Sequence, residues 1–600
     1  MKRLNNKIII VGCLVSSLVF YACKKDYLNT RPIGALDEAI LNNKAGVNGL
    51  LIGAYSLLDG RGVENVDDGR ASVWNTWLGN VGADDAHKGG DYSSQPERMT
   101  IENKTYTATN SILSDRWRAN FGGVTRSNEV IRGLDKLPDG QMTEAEKTQV
   151  RAEARFLRGV FHLEAAKVWK NIPYVDETIT FAANNYNISN TISVWPKIEA
   201  DFAYAIANLA ATNEQKGRAN SWAAKAFLAK CYMFQMKFAE AKALLDDIIT
   251  NGVTTWGTKY DLVPEFEQLF RQKFENNAET VFAVQMSVND GASGANGTSG
   301  EAFNYPPAPF GGWGHQPSFS LVNSFKTENG LPLLDTWNAS DVKNDQGVKN
   351  TQPYAADKTI PLDPRLDWTV SRKKLPLKDW GLHEIEYDFC GPYRAKKTVH
   401  WQQEKDGATS ELAGGWQHTN GNNYNMIRFA DVLLWAAEVE VEIGSLVKAE
   451  GYVNRVRARA ANPAGFLYEY LDNSDPMGGF STTKAANYVI NEYSGQFAAN
   501  GKEYARKAVR FERKLEFACE GHRFFDLQRW DRAAPGYMAN TLNVYMDHER
   551  ASFKASGVTY QILEGGVKFT QGKHEIFAIP QEQMDISGAQ NKLVQNPGHF

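Results

Sequence analysis

The segment RFERKLEFACEGHRFFDLQRW, residues 510–530, is dense in acid–base groups. It sets Glu512, Glu516 and Glu520 four residues apart near His522, with Arg513, Arg523, Asp526 and Arg529 among and after them. Glycoside hydrolysis needs two carboxyl groups flanking a bond, so a surface glycosidase is one reading of this segment. Spacing of four places the three glutamates on one helical face among cations, which is the pattern of a structural ion-pair ladder, and the ladder is the preferred reading. A second polar cluster, Asp84, Asp85, His87, Lys88 and Asp91, lies in the glycine-rich stretch GNVGADDAHKGGDYSSQ. Its spacing fits neither a calcium loop nor a zinc set, so no metal or cofactor is expected. Asp84, Asp85, His87 and Tyr92 are candidates to contact a ligand from this loop. Trp74 and Trp77, just before it, are either core or a stacking surface.

The chain carries 15 Trp, 24 Tyr and 30 Phe, and some of these sit where a ligand could use them. In FNYPPAPFGGWGHQ, Tyr305, Phe310, Trp313 and His315 stand among Pro and Gly, a composition that holds rings in a stiff loop. Aromatic faces so held stack on the apolar faces of sugars while Asn, Asp and Arg read hydroxyls. The bland alternative is a hydrophobic plug under a loop. Trp416, in AGGWQHTNGNNY, is a further candidate of the same kind. The motifs HExxH, GxSxG, GxxxxGK[ST] and a GxGxxG after a strand are absent, which lowers the expectation of catalysis.

The first residues carry Lys2, Arg3 and Lys7, followed by an apolar run from Ile8 to Ala22 that ends at Cys23, Lys24, Lys25 and Asp26. That is a secretory signal peptide over residues 1–22, and the run is too short to span a bilayer. Ala22 before Cys23 resembles a bacterial lipobox, although Phe20 and Tyr21 are larger than its usual residues, so Cys23 is the expected lipidated N-terminus. With 66 basic and 70 acidic residues the formal net charge is −4, which gives no electrostatic footprint for nucleic acid. Cys231, Cys390 and Cys519 are far apart and lack CxxC spacing, so free core thiols are expected rather than disulfides or zinc.

Helical periodicity dominates much of the remainder. Ala154, Leu157, Phe161, Ala165 and Val168 share one stripe that Pro173 ends, and Thr143 with Glu146 forms a capping box in front of it. This helix is expected to pair with the segment from Ile112 to Leu137. Ile198, Phe202, Ile206 and Leu209 line a second face behind Pro196. A further pair follows, with Ala223, Ala224, Ala239 and Ala243 expected at its close contact, and another is broken near Gly444. The expected fold is mainly α, a tetratricopeptide-like array of helical pairs forming one domain over residues 23–600. Its scaffold covers about 110–285 and 425–535, and loop-rich inserts of about 60–110 and 287–425 are expected to bind ligand.

The segments RAEARFLRGVFH, AAKAFLAKCYMF with FAEAKALLDDII, NNAETVFAVQMS, DPRLDWT, IRFADVLLWAAEVE, VNRVRARA, RKLEFACEGHRFFDLQRW and HEIFAIPQEQMDISGAQNKLVQNPGHF are similar, in this order, to the SusD/RagB family. The resemblance runs from the lipobox to Phe600. It implies a mainly helical lipoprotein of Bacteroidetes outer membranes without catalytic activity. Such proteins sit as a lid on a SusC-like TonB-dependent transporter and capture nutrients, most often oligosaccharides and sometimes peptides. Surface exposure of this chain is an expectation drawn from that resemblance.

Overall fold

The computed structural model describes residues 42–60, 62, 68–90, 93–292, 296–297, 315–384, 390–404, 410–413, 417–586 and 593–599. Cys23 and the signal segment lie outside them. Helices dominate: α1 (Lys44–Tyr55), α2 (Ser111–Asp135), α3 (Glu144–Trp169), α4 (Trp195–Asn208), α5 (Ser221–Gln235) and α6 (Phe238–Asn251) precede a long insert. After it come α7 (Phe429–Ile443), α8 (Leu446–Ala460), α9 (Gln496–Glu516), α10 (Arg523–Asp531) and α11 (Tyr537–Ala555). From α1 to α9 each helix packs on the next one in sequence. The chain therefore builds a continuous array of helix pairs, as its periodicity requires. Among the described residues no helix is long and apolar enough to cross a membrane.

Local chemistry explains where these helices start and stop. Thr143 accepts from the Glu146 N–H and Glu146 reaches back to the Thr143 N–H, closing the expected capping box of α3. Pro196 occupies the first turn of α4, where its missing N–H costs nothing. The expected stripe of α3 is buried throughout, and Phe156 on the same helix meets Phe202, Phe227 and Phe282 edge-on at centroid distances of 5.9, 5.3 and 5.0 Å. Each fully buried ring of this kind contributes about 1.5–3 kcal/mol relative to exposure.

Strand β1 (Thr280–Val284) pairs antiparallel with β2 (Tyr424–Arg428), Val284 opposite Tyr424. This ladder joins the two ends of the second insert and lets α6 pack against α7 across it.

Several expectations need correction. Residues 315–327, 362–379 and 390–401 of the loop-rich second insert are largely buried. Helices α1 and α11 fall outside the expected scaffold bounds. At the α5–α6 contact Ala223 and Ala224 are buried, but Ala239 and Ala243 are exposed and Ala241, Leu245 and Ile248 face inward instead. Cys231, Cys390 and Cys519 are free, buried thiols, as expected.

Candidate functional site

The glycine-rich acidic stretch is a plug, not a ligand loop. Gly521 has φ +79°, and a Cβ added there would lie 1.9 Å from the Trp74 carbonyl oxygen, so only glycine lets these backbones meet. The Gly521 N–H donates to Asn80 Oδ1 at 2.8 Å, pinning residues 74–87 to the turn between α9 and α10. Asp84 then receives Arg523 Nε at 2.6 Å and Lys514 Nζ at 2.9 Å. Burial would raise the Asp84 pKa, but these two cations outweigh it and hold the carboxyl below its usual range. Its neighbour Asp85 goes the other way, pushed up by burial and by the Asp84 charge, while accepting from the Cys519 N–H at 3.0 Å.

His87 is 0% exposed and lies between two carboxylates. Its ring nitrogens donate to Glu102 Oε1 at 2.8 Å and to Glu549 Oε2 at 2.9 Å. Burial opposes the charged imidazolium, yet these two acids outweigh it and raise the pKa to about 9. Glu102 also accepts from Tyr560 Oη, and Glu549 from the Phe319 and Ser320 N–H groups. Ala86 and His87 pair with Pro317 and Gln316, so the structure does bring the acidic stretch against the end of the aromatic loop.

As ligand contacts, Trp74, Trp77, Asp84, Asp85, His87 and His315 are therefore corrected: all six are buried. Trp74 packs on Tyr424 at 4.5 Å, and the Trp77 ring lies beneath the Arg98 guanidinium. Tyr92, Tyr305, Phe310, Trp313 and Trp416 lie outside the described residues.

The glutamate ladder is structural and larger than its own helix. Glu512 and Glu516 are on α9, whereas Glu520 lies beyond its end, and their partners come from distant segments instead of the neighbouring cations. Asp363, Glu279, Glu512, Glu516 and Glu520 balance Arg365, Arg428, Arg457, Arg459 and Lys397 one for one. Every member is buried. Arg513, Arg523 and Arg529 serve other acids: Asp431 with Asp526, Asp84, and Glu438. His522 is driven well below its usual pKa by burial and by the Lys230 and Arg513 charges. With its carboxylates paired to arginine and lysine and closed to solvent, this cluster offers nothing to a glycosidic bond. Among the described residues no group of three or more His, Cys, Asp or Glu is disposed to hold a metal ion.

Open surface lies elsewhere. A cleft of about 300 Å³ sits between the end of α1, the turn before α5 and the last residues of β1. Ile52, Leu58 and Val284 give it an apolar floor, and Tyr55, Gln215, Arg218, Gln285, Ser287 and Asn296 give it a polar wall. Tyr55 Oη donates to Glu153 at 2.8 Å, and Arg218 Nη1 donates to the same carboxylate at 3.2 Å. Gln285 exchanges amide hydrogen bonds with Asn276 at 3.0 and 3.1 Å, and Asn296 donates to Asp290 at 2.7 Å. The wall thus presents amide and hydroxyl groups around the paired Arg218 cation, with the Asp59 carboxyl also in the lining. The chain enters both inserts beside this cleft, after Asp59 and after Ser287. Its residues were not singled out from the sequence. Gln285, the polar residue closing the apolar run TVFAV, is the one local signal that points to it.

A larger cleft, about 670 Å³, lies between the segment after α3 and the C-terminal region. It is walled mainly by aromatic and apolar side chains, with Phe181 84% exposed at its edge.

The helical array neutralises its own charges in the interior and leaves clefts at its surface as the places open to a ligand. The chain belongs to the SusD/RagB family of Bacteroidetes outer-membrane proteins, whose members bind and do not catalyse. The SusD family model matches residues 278–599, and a second model, described as starch-binding associating with outer membrane, matches residues 26–233. A SusD-like protein of Bacteroides ovatus is 25% identical, over 99% of this chain and 97% of its own. Among solved structures, a laminarin-binding SusD-like protein superposes with a TM-score of 0.61 at 22% identity, covering 93% of this chain and 100% of that one. Surface glycan-binding protein A of Bacteroides thetaiotaomicron gives a TM-score of 0.61 at 19% identity, covering 93% and 99%.

Proposed function

We propose that this protein captures oligosaccharides at the cell surface and passes them to a SusC-like TonB-dependent transporter. In this reading residues 23–600 form one domain, whose helix pairs are degenerate tetratricopeptide units, held at the outer membrane by lipid on Cys23. The observation that carries the ligand reading is the placing of the 300 Å³ cleft at the roots of both inserts, with amide and hydroxyl groups beside apolar side chains. Paired amides and hydroxyls read sugar hydroxyls, and the Asp59 carboxyl in the lining disfavours an acidic glycan over a neutral one. Tyr305, Phe310 and Trp313, with Tyr92 and Trp416, are proposed as the aromatic residues that stack on the same ligand. The laminarin-binding relative has the same fold, which agrees with a glucan without specifying one.

The test is calorimetric titration of the purified protein with α-glucan, β-glucan, mannan, xylan and pectic oligosaccharides, with reducing ends measured on the same samples. Binding to at least one glycan without new ends is expected. Trp313→Ala and Gln285→Ala should each weaken it at least tenfold while leaving melting unchanged. Release of new ends, or binding only to peptides, would overturn the reading.

A further inference from the structure

A third cavity, about 360 Å³, opens among α7, α9, α10 and the turn between α5 and α6. It is unlike the glycan cleft because its wall is charged. Most of those charges are committed to each other. Arg506 grips Glu442 through Nε at 2.6 Å and Nη2 at 2.9 Å, and also reaches Glu503. Arg529 grips Glu438 at 2.5 and 2.7 Å. Lys507 pairs with Asp335 at 2.6 Å on the exposed side.

Arg510 stands apart from this accounting. Its guanidinium carbon lies 5.0 Å from the Trp530 ring centre and 4.9 Å from that of Tyr537, and the two rings meet at 76° to form a corner around it. Its Nε is buried without a hydrogen-bond acceptor, and no ion pair or hydrogen bond engages Nη1 or Nη2 among the described residues. The acid whose charge acts together with it is Glu503, already bonded to Arg506. Two aromatic faces hold the planar fork in place, so its entropy is spent before any ligand arrives. A fork so placed matches a carboxylate end-on through Nη1 and Nη2. Met233, Met236 and Phe238 line the same cavity, giving it an apolar side.

We infer that this cavity binds an organic monocarboxylate with an apolar body about the size of one amino-acid residue, its carboxylate on Arg510 and its body against Met233, Met236 and Phe238. A single fork to which no acid is hydrogen-bonded among the described residues selects a single carboxylate. A half-buried fork facing an amide in place of a carboxylate would lose its charge-assisted bonds, so acid and amide forms are separated. The same chemistry is offered by a free acid and by the last residue of a polypeptide.

The experiment titrates the full chain with N-acetyl-phenylalanine, with a pentapeptide ending in phenylalanine, and with the amide of each, following binding by calorimetry. Saturable binding of at least one acid is expected, with its amide at least tenfold weaker. If only the free acid binds, the site takes a small molecule; if the peptide binds as well or better, it takes a chain terminus. Arg510→Met keeps the stem against the rings and should lose at least tenfold in acid affinity, with melting and oligosaccharide binding unchanged. Arg510→Lys keeps the charge without the fork and should recover only part of the loss. Equal binding of acid and amide, full affinity in Arg510→Met, or no binding of any probe to a folded wild type would overturn the proposal. Glucuronate binding as tightly as the phenylalanine acids would overturn the apolar half of it.

Discussion

Replacing Glu516 tests whether the glutamates of α9 are scaffold or site. Glu516 Oε1 accepts from Arg428 Nη1 at 2.5 Å and from Arg459, and Oε2 accepts from Arg365 Nη1 at 2.9 Å. In Glu516→Ala, Arg365 keeps Asp363 and Glu512, Arg428 keeps Glu279 and Glu520, and Arg459 keeps Glu279, but the one-for-one balance is lost. Leaving a buried charge uncompensated costs about 3–5 kcal/mol. Unfolding entropy of about 2.1 cal/mol/K per residue gives roughly 1.3 kcal/mol per kelvin for a chain of 600 residues melting as one unit. The expected fall in Tm is therefore about 2–4 °C. Glu516→Gln should fall by a similar amount, because it is the charge that is missing. Burial acts to raise the Glu516 pKa, but Arg459, Arg428 and Arg365 outweigh it and hold the group well below its usual value. Its contribution is thus present above the ordinary glutamate pKa of about 4.3 and is lost as pH falls below it, so the gap between wild type and Glu516→Gln should narrow in acid. Differential scanning fluorimetry from pH 3 to 8, with oligosaccharide titration at 20 °C, reads both effects. Unchanged melting with abolished glycan affinity would refute the scaffold argument.

Three other perturbations follow from the same contacts. His87→Asn removes an imidazolium whose pKa is raised to about 9, so its stabilisation is full below about 6.5 and disappears as pH rises through 9; the Tm deficit of the variant should be largest near pH 6 and shrink by pH 10, and a constant deficit would show that His87 is neutral in the fold. Gly521→Ala forces a Cβ against the Trp74 carbonyl at a backbone conformation suited to glycine and should cost about 3 kcal/mol or more, seen as a lowered urea midpoint; a midpoint equal to wild type would contradict the close approach. Cys23→Ala should be exported without acylation, and continued fatty-acid labelling of that variant would exclude Cys23 as the anchor.

The helices were legible because their signals are local. A stripe such as Ala154 to Val168, a capping box at Thr143 and a break at Gly444 need no knowledge of distant residues. The glutamates of α9 were read as structural from the same local spacing, yet their partners Arg365, Arg428 and Arg459 come from other parts of the chain, which spacing does not reveal. The acidic stretch at residues 84–88 misled for a related reason. Charged side chains in a glycine-rich segment look solvated until Lys514, Arg523, Glu102 and Glu549 are brought to them by tertiary contacts. The cleft went unread because Tyr55, Gln215, Gln285 and Asn296 come from separate stretches, each unremarkable alone.

The central claim is that the cleft between the inserts receives the glycan, and hydrogen exchange measured with and without a saturating oligosaccharide that binds in calorimetry tests it most directly. Slowed exchange is predicted in residues 52–59, 283–297 and 303–315, with the amides of α7 and α9 unchanged. Protection confined to residues 173–188 and 583–593, around the larger apolar cleft, would contradict the account and move the glycan site there.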